Sequence, residues 1–187
     1  MGLREHSIAL ISVIVGLGLT ELLGNFNRLM CVRREVRWDG LSLAWAFLAI
    51  LLVNNYWWGM YQGYVSATSA SSAATFLVDL SLPVLLYMIC AAALPNARTS
   101  AGRDMRASYL DESGYFFALV LLYIVATLVE SLVVNRKFRL SVAMMERLAI
   151  IAVLAPLLWR RHVGYHWFAA FVILAVLILR LFEQILR

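Results

Sequence analysis

Glu21, Asn25 and Arg28 occupy positions i, i+4 and i+7 of a long apolar run. On a helix that spacing places them along one stripe. An acid inside an apolar helix is costly, so it faces a bundle interior, a wet cavity or a partner. Two chemistries fit it. Glu21 can take up a proton or coordinate a cation, because burial favours its neutral form and Arg28 its charged form. Alternatively, Glu21 pairs with Arg28 and is structural. Asn54 and Asn55 sit near the middle of a second apolar run, and Asp79 lies early in a third. Asn side chains can join helices by hydrogen bonds or line a pore. Glu21, Asn25, Asn54, Asn55 and Asp79 are therefore the expected lining of an ion, proton or small-solute pathway.

A second group of charges lies at one depth. At about 1.5 Å per helical residue, Asp79, Glu130, Glu146, Arg147, Arg180 and Glu183 fall within roughly 10 Å of the face that carries the N-terminus. Such a layer serves as interhelical salt bridges with snorkelling arginines, or as a vestibule that attracts ions. Arg147 is expected to contact Asp79, Glu130 or Glu183, since an unpaired charge in low dielectric is costly. Glu21 lies deeper, roughly 22 Å from that face, with Asn54 and Asn55 at roughly 15 Å. Ser12, Gly16, Thr20 and Gly24 recur every fourth residue. Small residues at that spacing predict close helix packing.

Other chemistries find little support. His162 and His166 share a helical face, but no HExxH or added acid completes a metal site, and His6 lies on the opposite side. No metal and no cofactor is expected. Cys31 and Cys90 form no CxxC or zinc-ligand pattern and read as two free buried thiols. No P-loop or GxGxxG occurs, and no mid-bilayer histidine is placed to serve a Ser or Cys nucleophile. The chain does not read as an enzyme.

The elements that must position these residues follow from composition. Of 187 residues, 63% are hydrophobic and only 14% charged. A soluble domain carries about 25% charged residues. Six stretches are long enough to cross a bilayer, at about 20 residues each. They run from about Ser7 to Leu29, Leu41 to Tyr64, Ala73 to Leu94, Gly114 to Val134, Leu140 to Trp159, and Tyr165 to the C-terminus. The expected fold is all-α, a single domain over 1–187 built as an integral membrane bundle of six transmembrane helices with short loops. The first run carries Glu21 and lacks a small-residue cleavage site, so it reads as a retained span. Glu21 then Asn27-Arg28, and Glu130 then Asn135-Arg136, hint at an inverted repeat. The spacing is unequal, and coincidence is the better reading.

The net charge is +5, but the basic residues fall between apolar runs, so lipid headgroups are the expected partner and nucleic acid is not. Loops one, three and five gather Arg28, Arg33, Arg34, Arg37, Arg98, Arg103, Arg106, Arg160 and Arg161. The excess predicts those loops in the cytoplasm and both termini outside. A homo-oligomer is expected by analogy with symmetric soluble assemblies.

Gly16-Leu17-Gly18-Leu19-Thr20-Glu21-Leu22-Leu23, Trp57-Trp58 and Leu82-Pro83-Val84-Leu85-Leu86-Tyr87 give the first half of the chain a resemblance. It resembles a group of small uncharacterised bacterial multi-span membrane proteins. That resemblance implies a bacterial inner-membrane location and no particular activity. The leading expectation is passage of an ion, proton or small solute. The alternative is a non-catalytic membrane subunit or scaffold that binds a partner protein.

Overall fold

The computed structural model describes residues 3–66, 73–95, 104–135, 142–159 and 162–185. Side chains are described at 8–61, 80–95, 104–131, 144–159 and 162–182. Six α-helices follow in order: α1 (Leu3–Cys31), α2 (Gly40–Ser66), α3 (Ala73–Ala92), α4 (Met105–Asn135), α5 (Val142–Leu154) and α6 (Val163–Ile185), with a 3-10 turn at Ala155–Leu158 between the last two. Apart from one bridge between Arg37 and Asp104, the described residues contain no strand pairing. The all-α bundle expected from the sequence is the fold.

Four helices are long and apolar enough to cross a membrane, over Ile8–Cys31, Gly40–Tyr61, Met105–Ser131 and Val163–Phe182. The described apolar part of α3, Leu80–Ala92, is shorter. Large apolar side chains also cover much of the outside of the bundle. Val13, Phe47, Leu122, Phe171 and Leu179 each expose more than half of their surface. In water that would be an aggregation surface; in lipid it is the expected exterior. The chain is a membrane protein.

Local chemistry sets where the helices start and stop. Asp39 caps α2, its Oδ2 accepting from the Ser42 amide at 3.0 Å and the Ser42 hydroxyl at 3.2 Å. Asp104 caps α4 in the same way, accepting from the Ala107 amide at 3.1 Å. This cap explains why α4 begins at Met105 and not near Gly114. Between those positions Asp111 and Glu112 are exposed, so hydropathy ends the span too early, whereas the backbone continues. Pro156 lacks an N–H and cannot continue the ladder of α5, so the chain tightens into the 3-10 turn. There the Tyr165 hydroxyl donates to the Val153 carbonyl at 2.9 Å.

The most extensive packing is α1 on α3, followed by α3 on α4 and α2 on α6. Ile11, Val15, Gly18, Leu22, Asn25 and Leu29 are the buried row of α1. Gly18 makes the close approach. A Cβ there would lie 3.1 Å from the Tyr87 Cα and 3.6 Å from the Cys90 Cβ. The row Ser12, Gly16, Thr20, Gly24 is not in this contact. A Cβ on Gly16 would meet nothing within 4 Å, and one on Gly24 only the Arg28 side chain of its own helix. Ser12 and Thr20 donate back to the Ile8 and Gly16 carbonyls. The reason is geometric. Every fourth residue advances about 40° around a helix, whereas alternating steps of three and four hold one face. The small row therefore winds onto the outer surface. Cys31 is exposed and Cys90 buried, and neither is in a disulfide, so only one of the expected buried thiols is buried.

Loops one and three meet at one end of the bundle. The Met105 amide donates to the Arg37 carbonyl at 3.3 Å, and Arg37 Nη1 lies 3.2 Å from Asp104 Oδ2. The segments 67–72 and 136–141, which hold the second and fourth connections, fall outside the described residues.

Two tests follow. Gly18→Val should lower stability in detergent by about 1–3 kcal/mol, because its methyls must displace main chain. Gly16→Val should leave the thermal midpoint unchanged. The second concerns pH. The Ala107 amide first, and then the Arg37 guanidinium, hold the Asp104 carboxyl below its usual range. A lowered folded pKa means that the carboxylate contributes fully above the ordinary value of 3.8 and that the contribution is lost as pH falls below it. Hydrogen exchange at the Ala107 amide should quicken as pH falls through that window, after correction for intrinsic rates. Asp104→Ala should remove the pH dependence.

Candidate functional site

The α1 stripe forms as its spacing predicts. Arg28 Nη2 donates to Glu21 Oε1 at 3.0 Å and to Asn25 Oδ1 at 2.8 Å. Asn25 is buried. The side chains of Glu21 and Arg28 remain 43% and 36% exposed. Glu21 lies ten residues before the end of α1 at Cys31, about 15 Å along the helix. A half-exposed ion pair therefore runs along the outer flank of a membrane helix, from Glu21 near its middle to Arg28 in its last turn. Arg28 Nε is buried without a hydrogen-bond partner.

Among the described residues, Asn54 and Asn55 share no hydrogen bond with this pair or with Asn25. Asn54 is exposed and Asn55 is buried, as the turn of about 100° between adjacent helical residues requires. Asn55 Nδ2 has no partner. The side chain of Asp79 lies outside the described residues.

The charged layer is assembled from α4, α5 and α6. Arg180 grips Glu146 with both arms of its guanidinium, Nε to Oε1 at 2.8 Å and Nη2 to Oε2 at 3.0 Å. Two parallel bonds fix orientation as well as charge. Arg147 Nη1 donates to the Thr127 carbonyl at 2.9 Å. That bond is to main chain, with Glu130 and Glu146 within electrostatic reach. The side chain of Glu183 lies outside the described residues.

A third polar cluster, at the end where loops one and three meet, is one that sequence reasoning missed. The Tyr109 hydroxyl and His166 Nδ1 are 2.6 Å apart, and both residues are buried. Phe117 packs edge-on against the His166 ring at 5.4 Å. The Ser42 hydroxyl has one proton, shared between Asp39 Oδ2 at 3.2 Å and the Met105 carbonyl at 3.3 Å. A signal was present. Tyr109 lies one turn into α4, on the buried row Met105, Tyr109, Ser113, Phe116, Phe117. His166 lies at the same height in α6, on the row His166, Ala169, Ala170, Leu177. Helical periodicity puts both on inner faces. Weighing His166 only as a metal ligand beside His162, and setting it aside when no site completed, hid this; His162 is exposed. Among the described residues no cluster of His, Cys, Asp or Glu could hold a metal ion.

Beside that cluster is a small cleft lined by Ser42, Trp45, Ala93, Tyr109, Glu112 and Ser113, with Pro95 and Phe116 at its edge. What these arrangements do most clearly is hold helices. The Arg180 pair ties α5 to α6, Arg147 ties α5 to α4, and Tyr109 ties α4 to α6.

A double-mutant cycle measures the first of these ties. Arg180→Met strands a half-buried carboxylate and should cost about 1–3 kcal/mol. Glu146→Gln should cost less, and the pair of substitutions together should cost less than their sum. Additive losses in thermal unfolding would show that the bridge contributes nothing. No protein-family model, curated protein or solved structure matches the chain, so its function is argued from this geometry.

Proposed function

We propose that the protein is a non-catalytic subunit of a bacterial inner-membrane assembly, which works by docking the outer face of α1 against another membrane helix. The observation that carries this is the half-exposed Glu21–Arg28 pair, whose acid lies near the middle of a span. Against lipid tails, such a pair keeps an unsatisfied polar surface. Against a second helix, its open hydrogen-bonding positions are filled. The surface beside it suits a helix. Gly16 and Thr20 are exposed, and small side chains let a neighbouring backbone come close. The partner helix belongs to a second copy of the chain or to a different membrane protein. In this reading all six helices cross the bilayer, with loops one, three and five cytoplasmic. Their arginine excess supports that orientation.

A second reading, ion or proton passage, is favoured by the same acid together with the unpartnered Asn55 Nδ2. Such a route would run between copies, since the described polar residues of one chain are not connected.

The experiment is cysteine crosslinking in native membranes. A Thr20→Cys variant, in a background with Cys31 and Cys90 replaced, should give an adduct at twice the chain mass or at a distinct larger mass. Leu19→Cys, on the flank toward the bundle, should give less. Glu21→Gln should weaken the Thr20 crosslink while leaving the fold intact. If Thr20→Cys stays at monomer mass, and liposomes holding wild type pass protons or cations that Glu21→Gln liposomes do not, the passage reading replaces docking.

A further inference from the structure

The cleft near the loop end has an unused donor in its wall. Trp45 is 3% exposed, and its Nε1–H is buried with no hydrogen-bond partner. An unmet buried donor costs about 1–3 kcal/mol, so native structures rarely keep one without a ligand or water to meet it. The ring itself is firmly seated, with Phe116 and Phe117 edge-on at 6.0 and 4.8 Å. Trp45 lies five residues into α2, about 8 Å below its start. Exposed Glu112 lines the same cleft and exposed Asp111 adjoins it; such charges belong at the headgroup boundary, where indole N–H groups commonly find acceptors. The enclosed part of the cleft has room for one water-sized group, enough for a single oxygen atom with the rest of its molecule outside. A ligand meeting both cleft residues presents an acceptor oxygen toward Trp45 and a cation toward Glu112.

We propose that this cleft binds one phospholipid bearing a primary ammonium headgroup, with a phosphate or ester oxygen accepting from Trp45 Nε1–H and the ammonium bonded to the Glu112 carboxylate. An anionic headgroup without an amine meets Glu112 as a like charge. A quaternary amine has no N–H to donate to it. The walls come from the first turns of α2 and α4 and the last turn of α3, so the site is independent of what covers α1.

Native mass spectrometry of the detergent-purified protein, with phosphatidylethanolamine, phosphatidylglycerol and phosphatidylcholine of identical acyl chains at equal concentration, tests this. The expected result is a single tightly held phosphatidylethanolamine, retained at least fivefold over the other two. Glu112→Gln, at an exposed position that leaves the fold intact, should erase that preference. Trp45→Phe keeps a ring in place and should lower retention of phosphatidylethanolamine severalfold. Equal retention of the three lipids overturns the proposal. So does a Glu112→Gln protein that binds as wild type does, or a density map in which the cleft holds one ordered water and no lipid.

Discussion

One carboxylate sets the register of the bundle. Asp39 accepts from both the amide and the hydroxyl of Ser42, and that hydroxyl reaches the carbonyl of Met105, the first residue of α4. The start of α2 is thereby fixed level with the start of α4. Arg37 and Asp104 repeat the link one turn outward. With the two starts level, Trp45 meets Phe116 and Phe117, and Tyr109 stands where α6 presents His166. The helices α2, α4 and α6 all begin at this end. Their positive dipole ends gather there, and Asp39 and Asp104 are the two acids that answer them. Without the link, a shift of one residue would turn each inner row by about 100°.

Charge inside the apolar region is handled locally. Glu21 answers Arg28 on the same helix, Glu146 answers Arg180 on the next, and Arg147 takes a main-chain oxygen of α4. Each arrangement lets a long side chain lie along apolar surface while its head is held. Among the described residues, the groups left over are Arg28 Nε, Trp45 Nε1 and Asn55 Nδ2. They are scattered over two helices, which argues that they answer to different neighbours.

The sequence is legible where one helix carries the whole signal. Glu21, Asn25 and Arg28 form their cluster because spacing along a single helix decides it. The order of six helices follows from runs of apolar residues for the same reason. What depends on the relation between helices is harder to read. The small-residue row of α1 looks like a packing face, yet the close contact falls on Gly18, since the partner helix chooses the face. Arg147 is expected beside an acid and has Glu130 within electrostatic reach, but its bond to the Thr127 carbonyl was not legible, because main-chain acceptors of a neighbouring helix leave no mark in the sequence. Hydropathy alone cut α4 at Gly114, because a window average cannot see a helix that continues into headgroups behind an Asp cap. Tyr109 and His166 were each readable as inward-facing, but only the fold puts them at one height.

The helix α4 is longer than the layer it crosses. With 31 residues it measures about 46 Å. A hydrocarbon layer is about 30 Å thick. Upright, α4 overshoots it by about 16 Å, so it tilts or carries its Asp104-capped end out among the headgroups. Each Å of mismatch costs a fraction of a kcal/mol, and a thicker layer takes up more of the helix with less tilt. Thickness of the surrounding bilayer, and not only its chemistry, thus becomes a variable to which this protein is mechanically coupled.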